Sequence, residues 1–451
     1  MNKDLTTGSP RRVLWLYTLP LLGSVFFQQL YNLADSVVAG RFISESALAA
    51  VGNATEVTLI YTAFAVGCNV GCSVIISQLF GAKNYKQLKS AVSTAFIAFG
   101  ILCGILMLLG FICMNSLLRL MQTPANIHGD TLLYLRIYTA GMPFVFFYNV
   151  ATGIFSALGD SKSPFCFLVF SSLSNIGVDI LFVTVFRMGI AGVAWATFLC
   201  QGLSCVLAVS LLVRRLHSMP CDEKPAVFSL PLLRRLLLVA IPSVLQQLFV
   251  SVGNIMIQGM VNGCGESVVA GFTAAIKLSN IAISCYIAVG SGLSAYTAQN
   301  IGAERPERIH PGYRSGIQLG ILLCLPFLFA YLVLGRYCVG LFLPTGSSAA
   351  ALDTAVLILR TISLCYFVAV GKVTTDGVLR GAAAMKQFML ATFTDLALRV
   401  LFVAVLIKPL GAVGIGLAWC CGASGGMAVS LIMYYSGRWK RQPSLAKSIE
   451  T

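Results

Sequence analysis

Gln78-Leu79-Phe80-Gly81-Ala82-Lys83 returns 221 residues later as Gln299-Asn300-Ile301-Gly302-Ala303-Glu304, a glutamine followed three residues on by Gly-Ala and a charged side chain. The likeness extends in both directions. Pro20 with Gln28-Gln29-Leu30 is matched by Pro242 with Gln246-Gln247-Leu248, and Gly189-Ile190-Ala191-Gly192 by Gly411-Ala412-Val413-Gly414. Offsets of 218 to 222 residues between matches in the two halves mark two structural copies.

Composition identifies the solvent those copies fold in. Of 451 residues, 57% are hydrophobic and 10% charged, and the mean hydropathy is +0.86. That balance belongs to a polytopic membrane protein. A helix needs about 20 apolar residues to cross roughly 30 Å of hydrocarbon. Segments of that kind run over 13–39, 48–79, 91–118, 132–158, 165–186 and 190–213, then 236–261, 268–298, 315–342, 354–379, 388–407 and 413–435. The expected fold is therefore all-α, with twelve transmembrane helices in two pseudo-symmetric bundles of six. Residues 1–213 form an N-terminal lobe, 214–235 a cytoplasmic linker, and 236–451 a C-terminal lobe with a cytoplasmic tail. Because six is even, both halves enter the membrane from the same side. The repeat is parallel, and a central cavity is expected where the bundles meet.

The basic residues orient the chain. Ends and loops on the N-terminal side carry 21 Lys and Arg, and those on the other side carry seven, including Arg41, Arg119, Arg187 and Lys408. Both termini and the linker then face the cytoplasm, with the protein in the inner membrane. The net charge of +15 is accounted for by loops that meet anionic headgroups, so nucleic acid is not a required partner.

Several absences narrow the chemistry. No G-x-x-x-x-G-K-[ST] phosphate loop occurs, and the polar loops are too short for a nucleotide-binding domain, which leaves an ion gradient or another subunit as the energy source. His128, His217 and His310 fall in separate expected loops and do not suggest a metal site. The 15 cysteines lie mostly inside helices without paired ligand spacing; they read as small apolar packing residues, with no disulfides expected. No convergent nucleophile or His/Asp constellation supports an enzyme, and no cofactor is implied. The N-terminus lacks a cleavable signal, so the first apolar segment should remain as a helix.

Function should then lie in polarity at membrane depth, where ionisable side chains face a cavity or a partner. Asp35 lies near the outer end of the first helix. Asn175 and Asp179 stand at i and i+4 on the fifth, hence on one face, and Thr197 about two turns into the sixth. At 1.5 Å per residue, Asp35, Asp179 and Thr197 come within roughly 6 to 12 Å of the outer boundary. Two carboxylates, an amide oxygen and a hydroxyl suit a small hard cation; without one, two close carboxylates would raise one another's pKa and hold a proton. The plainer alternative has Asp35 capping its helix near Gly40-Arg41 and Asp179 bonding locally. In the second half, Lys372 with Asp376, and Asp395 with Arg399, are opposite charges at i and i+4, read as local neutralisation. Pro20 and Pro242 occupy equivalent places and are candidate hinges.

The run Gln28-Gln29-Leu30-Tyr31-Asn32-Leu33-Ala34-Asp35 with Val38-Ala39-Gly40-Arg41 resembles the first helix of the multidrug and toxic compound extrusion (MATE) family. Gln78-Leu79-Phe80-Gly81-Ala82 and Asn175-Ile176-Gly177-Val178-Asp179 followed by Gly189-Ile190-Ala191-Gly192 resemble it too. The resemblance covers nearly the whole chain. It implies two six-helix bundles in a V that alternate between inward-open and outward-open states, acting as a monomer. It also implies export of amphipathic, often cationic organic compounds in exchange for Na⁺ or H⁺. Asp35, Asn175, Asp179 and Thr197 match the family's N-lobe cation site and could hold sodium there. Gln28, Tyr31 and Asn149 match polar positions lining the same lobe, as candidates for the substrate path or for support of the site. The second half lacks the seventh-helix glutamate of the NorM group, and Asp376 lies too near the inner end to match its tenth-helix aspartate. A flippase for a lipid-linked saccharide or other polar lipid of the same superfamily is the alternative reading.

Overall fold

The computed structural model describes residues 4–43, 45–221, 223–341 and 348–441. Every regular element among them is helical. Helices satisfy their backbone polar groups internally, which is what hydrocarbon requires of a spanning segment. The first half comprises α1 (Pro10–Phe42), α2 (Glu45–Gly81), α3 (Tyr85–Leu120), α4 (Ala125–Ala140), α5 (Met142–Ala157), α6 (Lys162–Ile180), a π-helical turn at Leu181–Val185, and α7 (Ile190–His217). The second comprises α8 (Leu230–Asn262), α9 (Glu266–Gly302), α10 (Ile309–Val333), α11 (Gly335–Gly340), α12 (Ala349–Leu364), α13 (Tyr366–Gly381) and α14 (Met385–Tyr435). The linker is shorter than composition suggested. Arg214 to His217 complete α7, and Leu230 to Arg235 open α8.

Two expected spans are broken. The 132–158 segment is α4 and α5, bent by 48°, and the 354–379 segment is α12 and α13, bent by 51°. Pro143, in the first turn of α5, has no N–H for the carbonyl four residues back and ends the ladder at Gly141. The other break, at Cys365, has no proline; there Cys365 is disulfide-bonded to Cys420, with Cα atoms 5.5 Å apart. This corrects the expectation of no disulfides. Cysteine spacing within apolar helices carries no pairing signal, and residue 365 meets α14 because both α12 and α13 pack on that helix. His128 and His310 also lie inside helices, α4 and α10, rather than in loops.

The repeat is visible in backbone geometry. α1 and α8 each have 33 residues, α2 and α9 each 37, and all four members of the bent pairs 16. The two Gly-Ala turns close with the same three hydrogen bonds, Ala82 N to Gln78 O, Lys83 N to Phe80 O and Asn84 N to Leu79 O in one, and their counterparts from Ala303, Glu304 and Arg305 in the other. Lys83 and Glu304 both take positive φ, at 56° and 55°. Gly189 (φ 58°, ψ −138°) and Gly411 (φ 53°, ψ −126°) adopt the same conformation, one that a side chain would strain. Gly411 divides α14 into two helices. Eight described helices are long and apolar enough to cross a membrane, and each bent pair adds one more span. With α14 counted as two and the 33-residue α1 included, the described helices account for the twelve expected.

The chain divides into two compact units, and the boundaries fall inside helices. One unit holds Met1–Asp4 and Gly23–Val244; the other holds Leu5–Leu22 and Leu245–Thr451. Each crossing comes two residues after a repeated proline, Pro20 in α1 and Pro242 in α8. In the first unit α5 packs on α2, α3 and α7, and α6 on α7; in the second α9 packs on α10, α12 and α13, and α14 on α12 and α13. Glycines at repeated positions seat the exchanged segments. A Cβ on Gly71 of α2 would lie 2.9 Å from Ala240 Cβ and 3.0 Å from Leu236 O, and a Cβ on Gly292 of α9 would lie 2.5 Å from Thr18 Oγ1.

Side chains in and just after the second copy of the motif bind residues 5–8. Gln299 is buried and its Oε1 accepts the Leu5 N–H at 2.9 Å, while Arg305 and Arg308 donate to the carbonyls of Thr6 and Gly8 at 2.8 and 2.7 Å. The connection between α7 and α8 is fastened to α3. Lys89 Nζ donates to Met219 O at 2.9 Å, Ser229 N donates to Thr94 Oγ1 at 3.0 Å, and Lys86 pairs with Glu223.

Candidate functional site

Asp179, wholly buried, lies in the last turn of α6, just ahead of the π-helical turn Leu181–Val185. Asn175 lies one turn earlier at 1% exposure, and Thr197 on α7 is at 6%. Asn175 and Thr197 line one cavity of ≈ 40 Å³ together with Gln28 of α1, Ser171, Ser172 and Gln201. A single water needs about 10–15 Å³, so the space suits a water or a bare ion. The named polar groups around it are amides and hydroxyls. They can supply neutral oxygen ligands to a hard cation, with the Asp179 carboxylate one helical turn away; the donor set fits sodium or a proton carrier.

Three of the residues expected at this site, Gln28, Asn175 and Thr197, are therefore brought together. Asn149 is not. It lies on α5, where its side-chain amide donates to Val145 O at 2.8 Å, and its own carbonyl accepts from Asn69 Nδ2 at 2.9 Å. This is ordinary helix and interhelical hydrogen bonding. Asp35 and Tyr31 are in α1, but their side chains lie outside the described residues. Ser171, Ser172 and Gln201 were not singled out from sequence, because hydroxyls and amides scattered through apolar helices usually bond to their own backbone.

The repeat leads to a second cavity. Trp419 stands 222 residues after Thr197, and Asp395 stands 223 after Ser172. Both line a space of ≈ 160 Å³ in the second unit, together with Tyr286, Tyr366, Lys372 and Arg399. The two i, i+4 pairs anticipated there both form, but they are joined. Lys372 Nζ lies 2.8 Å from Asp376 Oδ2 and 3.6 Å from Asp395 Oδ2, and Arg399 Nη2 contacts both oxygens of Asp395 at 2.9 and 3.1 Å. Ser430 Oγ donates to Asp376 Oδ1 at 2.5 Å. Local neutralisation at two separate places becomes one network across α13 and both parts of α14. Arg399 also lies over the Trp419 ring, 5.1 Å from its centroid.

A third cluster sits at the turn between α5 and α6. Asp160 Oδ1 accepts the backbone N–H groups of Lys162 and Ser163 at 3.0 and 3.1 Å, Oδ2 accepts Ser163 Oγ–H at 2.6 Å, and Arg215 pairs with the same carboxylate. Burial alone would push the Asp160 pKa up. The hydrogen bonds from Ser163 and the Arg215 charge outweigh it and hold the pKa below its usual value. On the exposed connection, the hydrogen bond and charge of Lys86 lower the pKa of Glu223.

Twelve apolar helices in a duplicated array, each half with a polar cavity among its helices, define a multi-pass membrane transporter. The MatE family profile matches residues 20–181 and 242–405. A Bacillus subtilis protein named probable multidrug resistance protein YpnP is 30% identical over 448 residues, covering 97% of each chain. A Shewanella oneidensis protein named FAD transporter is 28% identical over 308 residues, covering 66% of each. Among solved structures, an outward-facing multidrug resistance MATE transporter of the MOP superfamily superposes with a TM-score of 0.88 at 23% identity, covering 97% of each chain. The chain belongs to the MatE family.

Proposed function

We propose that this chain is a cation-coupled antiporter that exports amphipathic, often cationic organic compounds by alternating access. The relatives named for multidrug resistance supply the substrate class; the relative named for FAD keeps solutes with an anionic group in the range. One observation carries the coupling reading: Gln28, Asn175 and Thr197 converge on an ion-sized cavity within one turn of the buried Asp179. In this reading Asp35 and Asp179 bear the charge or the proton, and Asn175 and Thr197 are neutral oxygen donors to a Na⁺ or a protonated site. Gln28 and Tyr31 border the path from site to substrate.

Residues 1–213 and 236–451 are the two halves of the repeat, joined through 214–235, and α1 and α8, whose first parts pack in the opposite unit, bend at Pro20 and Pro242. The location of the unit boundaries two residues beyond each proline supports that hinge assignment. The protein acts as a monomer in the inner membrane with both termini cytoplasmic.

The test is efflux from proteoliposomes under an imposed Na⁺ or H⁺ gradient. Asp35→Asn and Asp179→Asn each abolish gradient-driven efflux while the protein remains folded in the bilayer, since Asn keeps size and hydrogen bonding but not charge. Full efflux by both variants would remove the first half from the coupling mechanism.

A further inference from the structure

We propose that the second unit's cavity is a binding subsite for an aromatic ring bearing an anionic group, an aromatic carboxylate being the minimal ligand. Size and walls admit a ring. The cavity measures ≈ 160 Å³, and an apolar cavity of about 150 Å³ is enough for benzene. Tyr286, Tyr366 and Trp419 wall it, providing the faces and edges that aromatic ligands pack against.

The sign of the polar group follows from which charges reach the cavity. Lys372, Arg399 and Asp395 line it, whereas Asp376 does not and is engaged by Lys372 at 2.8 Å and Ser430 at 2.5 Å. Two cations thus share the lining with one carboxylate, and that carboxylate already contacts both of them. Arg399 turns Nη2 to Asp395, while its Nε–H is buried without an acceptor among the described residues. A buried donor left unsatisfied is costly, and a ligand carboxylate oxygen can supply the missing acceptor in a charge-assisted hydrogen bond. An organic ammonium entering here would meet Lys372 and Arg399 and find no carboxylate still to be neutralised.

The proposal rests on the transporter reading only for its physiological role, so its test measures binding without a gradient. Purified protein in detergent is titrated with benzoate, benzylamine and benzyl alcohol by equilibrium dialysis of the radiolabelled compounds. Benzoate binds at least about tenfold more tightly than benzylamine, the scale of one charge-assisted hydrogen bond. Arg399→Gln loses that preference and retains benzyl alcohol binding. Ala369→Leu, which fills the cavity and leaves the ion network intact, weakens all three ligands and covers the case in which Arg399→Gln does not fold. Asp179→Asn, inactive in efflux, still binds benzoate like the parent protein, which separates the fate of this subsite from that of the coupling site. Benzylamine binding as tightly as benzoate, or undiminished benzoate binding by Ala369→Leu, would overturn the proposal.

Discussion

The two cavities share two repeated positions, Ser172 with Asp395 and Thr197 with Trp419, and differ in their other walls and in chemistry. Where the first half has Ser172 and Thr197 around ≈ 40 Å³, the second has Asp395 and Trp419 around ≈ 160 Å³. In the second, each buried carboxylate has a cation within one helical turn on its own chain, Lys372 for Asp376 and Arg399 for Asp395. Around Asn175 the lining is of amides and hydroxyls. The two halves thus share a helical frame, yet one cavity is lined by oxygen donors and the other by charges that compensate one another. A pocket whose charges are already paired is poorly suited to capture and release a cation, whereas neutral oxygens near one acidic group are well suited to it.

The contrast can be broken from either side. The largest effect on folding is expected in the second half. Lys372→Met leaves Asp376 and Asp395 each short of one cation, and losing one member of a buried ion pair costs about 3–5 kcal/mol. Thermal unfolding in detergent should show that loss, and a variant as stable as the parent would mean that the network is water-filled and already screened. In the first half, Thr197→Val removes one hydroxyl donor. It should leave the melting temperature nearly unchanged while weakening coupled efflux by about 1 kcal/mol, or roughly fivefold; an equal loss of stability would make Thr197 a packing residue rather than a ligand.

The smallest effect concerns acid stability and the turn at Asp160. Because its folded-state pKa is depressed, its contribution is present above the ordinary carboxylate value of 3.8 and is lost as pH falls through the lower folded value. Asp160→Asn should therefore flatten the fall in melting temperature on acidification below that value. The equivalent turn of the second half, Gly381-Ala382-Ala383-Ala384, has no acid, so an unchanged acid profile would indicate that the two turns are held alike by backbone geometry.

Much of this was legible in the sequence because repetition and apolar length are global signals. The offset that links Gln78 to Gln299 also links the φ angles of Lys83 and Glu304. Asn175 and Thr197 could be paired with Gln28 through the family resemblance, and they share a cavity. What escaped was local. Nothing in the spacing of Cys365 and Cys420 announces a bond, since it depends on how α12 and α13 pack on α14. The joining of two i, i+4 pairs into one network depends on the rotation of α14 against α13, which helical periodicity does not encode. Asn149, named through the family resemblance, lies outside the cavity that Asn175 and Thr197 line, and its amide bonds to its own preceding turn.

The exchange at Pro20 and Pro242 bears on how such a chain could be divided. Residues 5–22 belong to the unit built mainly from the second half, and the start of α8 through Val244 belongs to the unit built mainly from the first. A cut in the connection between His217 and Leu230 would give two polypeptides, each missing a strut that the other carries. Neither could complete its own packing around Gly71 or Gly292 alone. The halves are reciprocal donors, so synthesis as two genes would succeed only as complementation, and the covalent connection secures a stoichiometry that the interlocked helices already demand.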